Sequence, residues 1–288
     1  MNIRNIPENI VPFEKRHDEI FISEYKTNSD AYKEKSILNK NAVSLVLHGK
    51  KTMHFAQKTV NVNDNEIHLL SAGNCIASID MSKQKEFISI LMFFDNVVLK
   101  NFVMKNYDQI ESMKTNSKII PEFYVSFHKD AFIKNYTSSV QSLLNSAHKQ
   151  LSPKMMTIKF EELFQYLLEE HPLELLSFIE STSLKENELN IKKVIEQNVT
   201  NNLSIEELAF LCNLSVSTFK RRFNDIYKTT PSNWFLEQRM KIAKNLLRDF
   251  NEKPSEIYHK IGYVNHSSFS KSFKKIYGVT PKEFQNNI

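Results

Sequence analysis

Two sets of side chains recur at matching positions in this 288-residue sequence. Ser217, Lys220, Arg221 and Asn224 form the first. Ser267, Ser270, Lys271 and Lys274 form the second, with His266 directly before it. Within each set the steps are three, one and three residues, so each set lies on one face of a helix. Hydroxyl, amide, ammonium and guanidinium groups on such a face can neutralise phosphates and donate to base edges in a nucleic-acid groove. The chemistry they offer is recognition, because no nucleophile stands beside a base in either set.

The sets sit inside a repeated phrase. "LSVSTFKRRFNDIYKTTP", residues 214–231, returns fifty positions later as "VNHSSFSKSFKKIYGVTP", residues 264–281, with seven identities in eighteen. Among them Phe219, Phe223 and Ile226 match Phe269, Phe273 and Ile276, and their spacing predicts an apolar stripe that buries opposite the polar set. A shorter helix precedes each copy. In "LSIEELAFLCNLS", Ser204 and Glu207 are placed for a capping box, with Ile205, Leu208 and Leu211 along one face. In "PSEIYHKIGYVN", Pro254 suits a first helical turn, Ile257 and Ile261 face inward, and Gly262 allows the sharp turn into the next helix. Two helices crossing at a tight turn, the second polar and cationic, describe a helix-turn-helix, whose second helix enters the major groove of DNA. Between the copies, "PSNWFLEQRMKIAKNLLRDF" predicts a longer helix around residues 233–248, capped by Ser232, with Trp234, Met240, Ala243, Leu246 and Leu247 on its apolar side. Such a helix of about sixteen residues spans roughly 24 Å.

These motifs carry a resemblance. Residues 190–288 resemble the DNA-binding domain of the AraC/XylS family of bacterial transcription regulators in three places: the "LSIEELA" helix, the R-x-x-x-A-x-x-L-L spacing of Arg239, Ala243, Leu246 and Leu247, and "IGYVNHSSFSKSFKKIYGVTPKEF". The last follows the family signature G-[FY]-x-x-x-x-x-F-x-x-x-F-[KR]-x-x-[FY]-G-x-[ST]-P. Two positions depart from the family: Tyr258, where it usually has Ala, and Pro254, where it usually has an aliphatic residue. The resemblance implies double-stranded DNA as a partner, contact with RNA polymerase near a promoter, and activation rather than repression. It also implies an N-terminal cupin-like domain that senses an effector or a protein partner.

Residues 1–187 have a different character. Residues 188–288 hold 16 Lys and Arg against 10 Asp and Glu, a net of +6; since the whole chain holds 38 against 33, the first 187 residues hold 22 against 23, a net of −1. Positive charge is gathered where phosphate would be met. "AVSLVLHG", "KTMHFAQKTVNV", "EIHLLSAG" and "FISILMFF", within residues 41–95, read as short strands with Gly49 and "NVNDNE" at turns, the pattern of a small barrel or sandwich. His48, His54 and His68 lack the spacing of a metal-binding cupin, so neither a metal nor a cofactor is expected. "AFIKNYTSSVQSLLNSAHKQL" and "KMMTIKFEELFQYLLEEHP" predict two helices, the second using Ile158, Leu163, Leu167 and Leu168 and stopping at Pro172. By the resemblance this pair forms a homodimer interface; equally, it covers the barrel.

The expected architecture is therefore α+β: a cupin-like β-barrel with covering helices over residues 1–180, a linker at 181–190, and an all-α domain with two helix-turn-helix units over 191–288. Two cysteines, Cys75 and Cys212, one in each domain, argue against a structural disulfide. No signal peptide or membrane-spanning run is read from the sequence, and a cytoplasmic location is expected. The expected function is that of a sequence-specific regulator and not an enzyme. The alternative is a small-molecule-processing cupin enzyme fused to a DNA-binding domain. The effector, the target genes and the DNA sequence read are not written in the chain.

Overall fold

The computed structural model describes residues 3–12, 19–56, 58–81, 84–114, 118–146, 151–183, 191–250 and 252–286. It divides into two compact units, residues 1–55 with 59–188 and residues 56–58 with 189–288. The expected linker falls mainly on residues 184–190, outside the described residues, while residues 181–183 form the last turn of a helix.

The first unit is built on strands β1 (Arg4–Ile6), β2 (Ile20–Thr27), β3 (Ala31–Leu38), β4 (Asn41–His48), β5 (Lys51–Phe55), β6 (Thr59–Val62), β7 (Glu66–Leu70), β8 (Gly73–Ile79), β9 (Phe87–Phe94) and β10 (Tyr124–His128). They make two five-stranded sheets, ordered β1-β3-β8-β5-β6 and β10-β7-β4-β9-β2. A closed barrel was expected; the sheets stay separate. The edge strands β1 and β6 are three and four residues long, and the edge strands β2 and β10 of the other sheet are met by helices. An edge that is short or already covered offers no continuous row of backbone groups for closure. In β4 and β9 buried residues run on without alternation, from Asn41 to Val46 and from Ser89 through Phe94. Both faces of these central strands are therefore covered.

Five helices follow in this unit: α1 (Asn96–Lys105), α2 (Tyr107–Lys114), α3 (Ala131–Ser146), α4 (Pro153–Glu170) and α5 (Pro172–Ser183). The Phe94 ring lies 5.2 Å from Phe160, 5.4 Å from Phe164 and 6.5 Å from Phe178, so α4 and α5 pack on β9. α4 ends at Glu170, just before Pro172, as expected. Pro172 then opens α5 at a first position, where its missing N–H costs nothing. Ile158 is 46% exposed, off the buried line of Phe160, Leu163, Phe164, Leu167 and Leu168.

The histidines are not gathered. His54 Nδ1 meets Thr59 Oγ1 at 2.8 Å, whereas His68 is fully buried, 2.7 Å from Tyr124 Oη through Nδ1 and 3.2 Å from the Asn63 carbonyl through Nε2. Among the described residues no three metal-ligating side chains come together. Burial pushes the His68 pKa down to about 4. Below pH 6.5 the unfolded chain binds a proton that the folded one refuses, so stability falls as pH drops from 6.5 toward 4. Between pH 7 and pH 5 this group should cost about 2 kcal/mol. Urea unfolding of wild type and His68→Gln at the two pH values checks this; a wild-type loss no larger than the variant's would refute it.

Among its described residues the second unit holds helices and no strand: α6 (Ile191–Gln197), α7 (Ile205–Leu211), α8 (Val216–Tyr227), α9 (Pro231–Asp249), α10 (Pro254–Ile257), α11 (His266–Tyr277) and α12 (Pro281–Asn286). The long helix α9 begins earlier than the sequence reading placed it. Thr230 is the N-cap, its hydroxyl accepting from the Asn233 amide, and Pro231 fills the first position, so Ser232 lies inside the helix. Nineteen residues then span about 28 Å. Met240, Ala243 and Leu247 of α9 share a core with Ile257, Ile261, Phe269 and Phe273. At the other end, Trp234 and Phe235 receive Phe223 of α8, ring centres 5.8 Å and 6.2 Å away.

Candidate nucleic-acid interface

The two polar sets lie on α8 and α11, and local chemistry fixes both helices alike. Ser215 caps α8 by accepting from the Thr218 amide, and Asn265 caps α11 by accepting from Ser268. Each ends on a left-handed residue, Lys228 at φ 54° and Gly278 at φ 79°. Thr-Pro then starts the next helix in both places: Thr230 caps α9, and Thr280 caps α12 in a reciprocal pair with Glu283. The repeated phrase thus encodes a cap, a helix, a stop and a second cap.

Burial orients the helices. Phe219, Phe223, Phe269 and Phe273 are fully buried. The expected third members of the stripe, Ile226 and Ile276, are instead 39% and 37% exposed. The stripe turns toward Tyr227 and Tyr277, whose rings lie tilted 4.7 Å from Phe223 and Phe273 and then reach Trp234 and Phe284. The bulky aromatic covering lies on that side, which leaves the isoleucines at its edge.

With the aromatic side inward, Ser217, Lys220, Arg221 and Asn224 are exposed on α8, and His266, Ser267, Lys271 and Lys274 on α11; Ser270 is half-buried. None of the four cations forms an ion pair among the described residues. Lys274 has an acid close by, since it adds to the low pKa of Glu283, which is set mainly by hydrogen bonds from Thr280. A cationic face without internal partners keeps its charge for an outside anion. Lys228 was missed. It is exposed at the end of the same face, and the alignment of Lys228 with Gly278 was the available signal.

The helices that lead into α8 and α11 differ. Before α8, Ser204 and Glu207 form the expected capping box, with bonds of 2.7 Å and 3.2 Å. Leu208 and Leu211 are buried there and Ile205 is half-buried. Before α11, the helix beginning at Pro254 is regular only to Ile257, and the half-buried Tyr258 turns its ring edge-on to His259 and His266. The left-handed residue is Asn213 at φ 53° in the first turn and Gly262 at φ 83° in the second. Counted to the caps Ser215 and Asn265, the second turn is one residue longer, and the extra residue, Val264, is 76% exposed.

Residues 208–287 match the family model described as a helix-turn-helix domain, and residues 41–178 match the ExsA N-terminal regulatory domain. The chain belongs to the AraC/XylS family of transcription regulators. Among its relatives in this family is the Msm operon regulatory protein of Streptococcus mutans, 25% identical over 62% of this chain and 64% of the relative, a little under two thirds of its length. The HTH-type transcriptional regulator ExsA of Pseudomonas aeruginosa is 21% identical over 83% of this chain and 84% of its own. The lactose operon transcription activator of Staphylococcus xylosus is 20% identical over 88% of this chain and 86% of its own. Like the AraC/XylS assignment, these names describe regulators rather than enzymes. Among the described residues no helix is long and apolar enough to cross a membrane.

Proposed function

We infer that this AraC/XylS member binds double-stranded DNA through two helix-turn-helix units, α7–α8 and α10–α11, and activates transcription in response to a signal received by the first unit. The observation that carries this reading is the pair of exposed cationic faces, on buried phenylalanines, at opposite ends of one helix of about 28 Å. That length is close to one DNA turn of roughly 34 Å once the helices' own radii are added, which suits successive major grooves on one side of the duplex. Ser217, Lys220, Arg221, Asn224, His266, Ser267, Ser270, Lys271 and Lys274 are the groove-facing residues in this reading. RNA polymerase is the partner that activation requires. The regulatory-domain match supports an effector or partner acting on the first unit; a homodimer, in this reading, would use the outward side of the α3–α4 pair.

Arg221 offers the sharpest test. A bidentate arginine–guanine contact is worth about 1–3 kcal/mol of discrimination, so Arg221→Ala should relax preference at one or two positions while weakening binding. A binding-site selection that returned the wild-type motif from this variant would remove Arg221 from direct base reading.

A further inference from the structure

Arg239 lies in the middle of α9, on neither recognition helix, and makes contacts that a solvated cation would not. Its Nε donates to the Val199 carbonyl at 2.6 Å and one terminal nitrogen donates to the Asn201 carbonyl at 2.9 Å, while its guanidinium lies over the Phe235 ring. Both carbonyls belong to the turn that leads into α7, ahead of the first helix-turn-helix unit. The same turn meets the second helix-turn-helix unit. A Cβ placed on Gly262 would stand 2.5 Å from the Thr200 carbonyl oxygen and 3.3 Å from the Arg239 guanidinium carbon. Gly262 is thus needed for its φ of 83° and also for the close approach.

The turn at 199–201, the centre of α9 and the turn of the second unit therefore meet at one point, held by a planar two-donor fork. Each unit otherwise packs at its own end of α9, the first on Trp234 and Phe235, the second on Met240, Ala243 and Leu247. Apolar contacts at two separate ends tolerate small rotations of one unit against the other. A fork satisfying two carbonyls does not, because its hydrogen bonds weaken steeply with angle.

We propose that Arg239 is a positioning residue that fixes the spacing of the two recognition helices, by tying the 199–201 turn to α9 where Gly262 of the second unit packs. This rests on the reading that both units bind one duplex. Arg239→Lys keeps the charge but cannot reproduce the fork.

The test uses the full chain with nitroxide labels at Asp225→Cys and Lys275→Cys, both exposed and not themselves among the groove-facing residues, since Cys75 and Cys212 are buried. Distances between the labels are measured without DNA, and affinity is measured on sites whose half-site interval is native, one base pair shorter or one longer. Wild type should give a narrow distance distribution and a penalty of roughly tenfold or more per displaced base pair, the size of one mismatch. Arg239→Lys should broaden the distribution and cut the penalty below about threefold, with the selected half-site sequences unchanged. A variant that keeps both the narrow distribution and the full penalty overturns the proposal. Should the lysine variant fail to fold, Gly262→Ala is read in its place: the added Cβ must displace the turn, so an unshifted distance in a folded protein is equally fatal. Wild type indifferent to the interval would instead defeat the two-groove reading, while the distances would still judge Arg239.

Discussion

Phe269→Ala is expected to unmake the packing of α10 and α11 on α9. Phe269 has no exposed surface; its ring centre lies 5.9 Å from Phe273, 5.9 Å from Tyr263 and 6.1 Å from His266. Truncating a fully buried phenylalanine costs about 3–5 kcal/mol. A domain of this size commonly has about 5–15 kcal/mol in all. The melting transition of the second unit should fall by roughly 12 °C or more, and specific DNA binding should be lost with it. The neighbouring His266 is exposed, and His266→Ala should leave melting nearly unchanged while weakening binding. Calorimetry and gel shift on both variants separate the two roles. If Phe269→Ala melts like wild type but no longer binds, the ring is a DNA contact and the orientation assigned to α11 is reversed.

That orientation was legible in the sequence because helices announce themselves locally. Ser204 with Glu207, the paired phenylalanines, and Gly262 each act within a few residues, so spacing alone places them. The start of α9 was misplaced for a related reason: Ser232 is a plausible cap, but Thr-Pro gives a capping hydroxyl and a preset first turn two residues earlier. The first unit was harder. β4, β5, β6, β7 and β9 were visible as apolar or alternating runs. β3, "AYKEKSIL", is largely half-exposed and charged, and β8, "GNCIASI", has small side chains, so neither carries a strand pattern. Conversely, the apolar "NVVLKNFVMK" of α1 was passed over because a short apolar run does not declare its period. Closure was illegible altogether, since it depends on which strands end up as edges. So was the role of Arg239: its place in the R-x-x-x-A-x-x-L-L spacing does not say what it touches until the carbonyls that it meets, some forty residues away, are located.

The largest effect expected of a change in the DNA is from an insertion of five base pairs between the two half-sites. α9 is one helix without an interior proline or glycine, capped at its start, and both α8 and α11 are anchored to it by fully buried rings. Two helices fixed in this way can meet successive major grooves only if the half-sites lie about one turn apart on the same side of the duplex. Five base pairs are half a turn, so the insertion carries one half-site to the far side, where α11 cannot follow without tearing Phe269 and Phe273 from the core they share with Met240 and Ala243. One unit would then contribute nothing beyond phosphate contacts. Affinity should fall to the nonspecific level, a loss of roughly 4–10 kcal/mol. Inserting ten base pairs restores the face but adds about 34 Å to the separation, more than α9 spans, so it should not rescue binding. Both measurements need one fixed, near-physiological salt concentration, because at low ionic strength the cations of the second unit hold any duplex. Unchanged affinity after the five-pair insertion would mean that only one of the two helices reads DNA. The matched face of the other would then be free for a protein surface, with RNA polymerase the first to test.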